Sequence, residues 1–264
     1  MSAPIIAIDH VQIDTADFDR DVENMTELFG FAAHWHGGSA PDRRAIYTTA
    51  NLQVVLREGE TSGLVSVAFL VDDMQRIQRR LKRVGIEFSA EDDTDLLNPV
   101  TGDASMVTCA AQSVRGLGLH FIQRSQPPRA KPTVGDERVT GLDHVVVASS
   151  DAERTAFLLG AQLGLDMRMD RSNPDWGARL LFFRCGDLIV EVFQPLDDKE
   201  RDTSIDGFYG LSWRVGNADG AQRRLSAAGR DVSEVRKGRK PGTKVFTSRE
   251  GNAGVPTLLI EPAA

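Results

Sequence analysis

The chain has 264 residues, 41% hydrophobic and 26% charged, a globular composition long enough for one large domain or two ordinary ones. Its net charge of −7 argues against a general nucleic-acid or membrane-surface role, and no apolar run approaches the ~20 residues that span a bilayer. Cys109 and Cys185 form no Cys-x-x-Cys pair, and Met1-Ser2-Ala3-Pro4 lacks the basic and apolar regions of a signal peptide; a thiolate zinc site is disfavoured and a reduced, cytoplasmic setting is expected.

Residues 5–14 predict a first strand, centred on Ile8-Asp9-His10-Val11-Gln12-Ile13. Asp17 or Thr15 caps the helix that follows, where Phe18, Val22, Met25 and Phe29 recur at helical spacing and Gly30 closes the run. Phe31–His36, Arg44–Thr49 and Leu52–Arg57 read as three short strands, so the unit is βαβββ. A second unit opens with a strand over Val65–Val71. Its helix over residues 73–84 carries Met74, Ile77, Leu81 and Val84 on one face and ends at Gly85. Ser105–Cys109 and Leu117–Gln123 are its later strands. The basic run Arg79, Arg80, Lys82 and Arg83 reads as a solvated helix face. Residues 125–139 hold three prolines and little to bury, the mark of a linker.

The second half repeats the first. Gly141-Leu142-Asp143-His144-Val145-Val146-Val147 is a near copy of the opening strand, with His144 lying 144 − 10 = 134 positions after His10. Strict alternation puts His144 on a face with Val146, and Asp143 on the other with Val145 and Val147. At the same offset Gly30 falls on Gly164, and after a two-residue insertion Asn51–Val55 falls on Asp187-Leu188-Ile189-Val190-Glu191. Phe69-Leu70-Val71 matches Trp213-Arg214-Val215; at that spacing Gln78-Arg79-Arg80-Leu81 recurs unchanged as Gln222-Arg223-Arg224-Leu225, and Gly85 falls on Gly229. Four βαβββ units in two pairs follow from this repetition alone, and two units packed together enclose a cavity.

Paired βαβββ units that open with Leu-Asp-His-Val and carry a carboxylate on the fourth strand resemble the vicinal oxygen chelate superfamily, which includes glyoxalase I and the extradiol dioxygenases. The resemblance implies an α+β fold of two glyoxalase-like domains, residues 1–124 and 140–264, joined by the linker 125–139. It also implies a divalent metal (Fe, Mn, Zn or Ni) in the cavity of the second domain. The ligands it carries over are His144, Glu191 and Glu261. Glu261 is the third donor with its face left open: aligning Pro262 with Pro195 sets Leu258 opposite Glu191, and a three-residue difference changes the face. The second His position of the family falls near Gly210, where there is no His. In the first domain His10 and His120 mark a second site, with Val55 in place of the carboxylate.

The expected activity is that of a metal-assisted lyase, isomerase or dioxygenase on a small oxygenated substrate. Two alternatives use the same cavity: a metal-free binding or sequestering protein, and a metal-free enzyme with Glu191 as general base. Arg239, Lys240 and Lys244, in the densest positive run of an acidic chain, are expected to capture an anionic group of the substrate. Trp176, on a turn, covers the ligand in this reading, and Ser212 lines the pocket. The expected partners are a small molecule and, as related folds allow, a second copy of the chain; neither nucleic acid nor membrane is expected.

Overall fold

A computed structural model of the protein describes residues 4–91, 104–127, 129–131, 136–197 and 205–263. Of the linker, residues 128 and 132–135 lie outside the described residues. The first quarter is β1 (Ile5–Thr15), α1 (Phe18–Phe29), β2 (Trp35–Gly37), β3 (Arg44–Thr48) and β4 (Gln53–Glu58). The second is β5 (Gly63–Val71), α2 (Met74–Arg83), β6 (Phe88–Glu91), β7 (Ala104–Cys109) and β8 (Gly118–Arg124). The third is β9 (Val139–Ala148), α3 (Ala152–Ala156) running into a π-helical stretch (Phe157–Gln162), β10 (Asp166–Asn173), β11 (Ala178–Cys185) and β12 (Leu188–Pro195). The fourth is β13 (Gly207–Val215), α4 (Ala218–Ala227), β14 (Arg236–Lys237), β15 (Lys244–Ser248) and β16 (Thr257–Glu261).

Two eight-stranded sheets result, ordered β2-β3-β4-β1-β5-β8-β7-β6 and β10-β11-β12-β9-β13-β16-β15-β14. Adding eight to each strand number of the first order gives the second, so the repeat read from the sequence is a repeat of topology. Each sheet is made from one half of the chain. Among the described residues no helix is long and apolar enough to cross a membrane.

Local chemistry explains the element ends. Thr15 rather than Asp17 organises the start of α1: its Oγ accepts from the Asp17 N–H at 3.1 Å and donates to Asp21 Oδ2 at 2.5 Å. Gly30 closes α1 in the left-handed region, φ 79°, with its N–H on the Thr26 carbonyl. The strand expected over Phe31–His36 is observed over Trp35–Gly37, and the Phe31 ring stacks on Phe29 at 5.6 Å.

Two compact units follow a different division from the sheets. One comprises Met1–His10, Ser66–Pro127 and Val145–Tyr209; the other comprises Val11–Val65, Pro128–His144 and Gly210–Ala264. In the first unit, Arg80 of α2 donates to the Gln162 and Ala161 carbonyls at 2.6 and 2.9 Å, at the end of the π-helical stretch. There Gln162 answers with a bond to the Val84 carbonyl at 3.0 Å. In the second unit, Arg224 of α4 donates to the Glu27 carbonyl and, at 3.1 Å, to the Leu28 carbonyl, at the end of α1. The Trp213 ring, buried in this unit's core, meets Phe29 edge-on at 5.0 Å. Such aromatic pairs add about 0.5–1.5 kcal/mol beyond the area they bury.

The repeated Gln-Arg-Arg-Leu tetrad therefore does one job twice: its second arginine caps the carbonyl end of a helix from another quarter. This corrects the reading of Arg80 as part of a solvated face. Arg79 and Arg223, one residue earlier, are the exposed members. Gly164, φ 89°, sits against the Arg80 guanidinium as Gly30 sits against that of Arg224; a Cβ there would lie 3.1 Å from Arg80 Nη2.

Candidate active site

His144 projects from β9 and Ser212 from β13, which are neighbours in the sheet. His144 Nε2 lies 2.7 Å from Ser212 Oγ, and its Nδ1 lies 3.0 Å from Asp143 Oδ1. Arg214 Nε donates to the other Asp143 oxygen at 3.1 Å. Four side chains, Ser212, His144, Asp143 and Arg214, thus form one continuous chain of hydrogen bonds. Asp143 and His144 are consecutive on a strand, where strict alternation would part them. Their bond corrects the assignment of Asp143 to the opposite face.

The direction of the chain follows from charge. Burial alone would push the Asp143 carboxyl up, but the hydrogen bonds and charges of His144 and Arg214 outweigh it and hold the group below the usual carboxylate range. An ionised Asp143 can only accept, so Nδ1 is the donor of that pair; in the neutral form of the ring Nε2 is then the acceptor for Ser212 Oγ. Asp143 and Arg214 were missed as site residues, although both lay in stretches that drew attention. The available signal was a charge inside an apolar strand, Trp213-Arg214-Val215 beside Leu142-Asp143-His144.

The remaining expected residues are placed as follows. Glu191 stands on β12, paired with Phe182 of β11, on the half-buried face that also carries Ile189 and Phe193. Phe193 stacks on Tyr209 at 6.2 Å. β12 neighbours β9 in the sheet order. On β16 it is Leu258 that pairs with Ser212, while Glu261 Oε2 accepts from the Ala218 N–H at 2.7 Å and so tethers the start of α4. By alternation Glu261 shares a face with buried Leu259 rather than with Leu258, the strand partner of Ser212. Among the described residues, no three His, Cys, Asp or Glu side chains gather in a metal-binding group.

Lys244 pairs with Asp219, the second residue of α4, at 2.7 Å and lies 3.8 Å from Glu261. Lys240 closes a tight turn, its carbonyl accepting from Thr243 N–H and Oγ, and with Arg239 it is exposed. Trp176 is half-buried in a 3-10 turn with the Arg171 guanidinium 5.1 Å over its ring.

The first half keeps a closed version of the arrangement. His10 Nδ1 lies 2.9 Å from Asp9 Oδ2, and Arg124 Nη2 donates to the same oxygen at 2.7 Å. Here the arginine comes from β8, and Ala68 stands at the repeat position of Ser212. His120 is held instead by Thr108, 2.8 Å from its Nδ1. His10 and Asp9 are 4% and 0% exposed, against 17% and 26% for His144 and Asp143. Only the second copy is open to a ligand and carries a hydroxyl on its imidazole.

Residues 143–247 match the family model described as Glyoxalase/Bleomycin resistance protein/Dioxygenase superfamily. No curated protein sequence matches the chain. Among solved structures, the Mn(II)-bound glyoxalase from Novosphingobium aromaticivorans superposes with a TM-score of 0.76 at 13% identity, over 98% of this chain and 83% of that one. A mutant of 4-hydroxymandelate synthase from Streptomyces coelicolor gives 0.74 at 15% identity, over 99% and 94%. A variant of homoprotocatechuate 2,3-dioxygenase from B. fuscum gives 0.71 at 12% identity, over 100% and 73%. At these identities the likeness is one of fold.

Proposed function

We infer that this chain is a vicinal oxygen chelate enzyme acting on a small oxygenated substrate, a reading supported by the match of residues 143–247 to the superfamily's sequence model and by the fold shared with the solved glyoxalase and dioxygenase. The reaction we favour is proton transfer at a carbonyl-bearing compound, in the second domain, with His144 as the group that moves the proton. The observation that carries this reading is the Ser212–His144–Asp143–Arg214 chain, which fixes the tautomer and orientation of an imidazole that stays partly exposed. Asp143 and Arg214 position it.

A divalent metal belongs to the neighbour named as a Mn(II)-bound glyoxalase. Among the described residues the donors do not fit such a site. Glu261 is spent on α4, both ring nitrogens of His144 are engaged, and no three-donor group gathers among the described residues. We route no step through a metal.

The test is turnover of a panel of carbonyl and hydroxy-acid compounds by untagged protein, with and without chelator, beside elemental analysis of the same samples. Turnover should survive chelation and fall about 10²–10⁴-fold in His144→Ala, the usual share of a general acid–base group. Stoichiometric metal that is lost in both His144→Ala and Glu191→Gln would overturn the metal-free mechanism and reinstate the metal-assisted one.

A further inference from the structure

We propose that Ser212 is a nucleophile and that the site hydrolyses a small acyl ester or thioester. The inference rests on the reading of His144 as the proton-moving group and names the class of compound it serves. A serine nucleophile needs a base within hydrogen-bond reach and a third group that orients the base. Those three roles are filled in order: Ser212 Oγ to His144 Nε2 at 2.7 Å, and Nδ1 to Asp143 Oδ1 at 3.0 Å. Arg214 fixes the carboxylate from its far side at 3.1 Å, so Asp143 is held for orientation. Unrelated folds have arrived at this constellation separately, and it is recognised by geometry and roles rather than by position in the chain.

The duplicated half supplies an internal control. The Asp9–His10 pair forms without any hydroxyl, since Ala68 occupies the repeat position, and it is sealed at 0% and 4% exposure. The Asp–His pair therefore forms without a serine on the ring. The hydroxyl occurs in the one copy whose imidazole meets solvent, at 17% exposure. Ser212 itself is 3% exposed, which restricts the acyl group to a small one and keeps bulk water off the nucleophile.

The chemistry balances with water as the only co-reactant. Ser212 Oγ forms a bond to the acyl carbon while His144 Nε2 takes the hydroxyl proton. The C–O or C–S bond then breaks, and the departing alkoxide or thiolate takes that proton to leave as alcohol or thiol. A water molecule, deprotonated by His144, attacks the acyl-serine; the acid departs and Oγ recovers the proton.

The test is to expose wild-type protein to a small fluorophosphonate, map the adduct by peptide mass spectrometry, and assay p-nitrophenyl acetate hydrolysis alongside. The expected result is a single adduct on Ser212, absent in Ser212→Ala, with labelling slowed at least 100-fold in His144→Ala and ester hydrolysis lost in both variants. Mapping on the wild type needs no variant to fold. An unlabelled Ser212, or an adduct only on another serine, overturns the proposal. If carbonyl turnover still collapses in His144→Ala under that outcome, the acid–base reading stands without it; if neither activity depends on His144, both fall.

Discussion

Asp143 carries the electrostatic weight of the site. Its folded-state affinity for a proton is depressed by His144 and Arg214, which win over burial. A depressed carboxyl contributes stability that is full above its unfolded value, about 3.9, and is lost as pH falls through the lower folded value. Wild-type protein should therefore lose part of its thermal stability from about pH 4 downward. Asp143→Asn should lose roughly 1–3 kcal/mol at neutral pH and show a shallower acid limb, because the group that titrates there is gone. Melting curves from pH 2.5 to 7 check this, and an unchanged acid limb would count against it. His144 was legible in the sequence because a repeated strand presented an imidazole twice. Its bond to Asp143 was not, because the alternation rule parts neighbours on a strand. Nor was its bond to Ser212, since nothing in spacing joins residues 68 positions apart. The face of Glu261 was readable only by aligning Pro262 with Pro195, and the register of Leu258 against Ser212 agrees with that alignment.

Helices α2 and α4 show where periodicity stops being informative. Helical spacing put Met74, Ile77, Leu81 and Val84 on one face; the first three are buried, and Val84, at the helix end, is half-buried. The far side of the same helix looked like ordinary solvated charge. What periodicity omits is the identity of a distant element that meets that side. The end of a helix offers carbonyls without intrahelical partners and a negative dipole, and a guanidinium satisfies both. Arg80→Ala and Arg224→Ala should each cost about 1–3 kcal/mol, the range for hydrogen bonds to a charged group. Arg79→Ala and Arg223→Ala, at exposed positions, should stay within about 0.5 kcal/mol. Urea midpoints of the four variants measure this, and equal effects within each pair would remove the capping account.

At the scale of the whole molecule, the sheets and the compact units divide the chain differently. The repeat foretold four βαβββ units, and all four are present, each half of the chain forming one eight-stranded sheet. It did not foretell that each compact unit draws on both halves, because repetition fixes the shape of a module and not which modules pack. A fragment of residues 1–124 made alone has α1 without Arg224 and α2 without its partner carbonyls on residues 161–162. Each half expressed separately should lack a cooperative thermal transition, and co-expression should restore one; independent cooperative melting of either half is the contrary result. The same arrangement bears on the fate of the molecule in a proteolytic environment. A single scission between residues 125 and 139 would convert one polypeptide into two without dissolving either packed body, since every body retains pieces of both products. Such a nicked species would migrate as the intact protein on a native gel, and denaturant would be needed to reveal the cut.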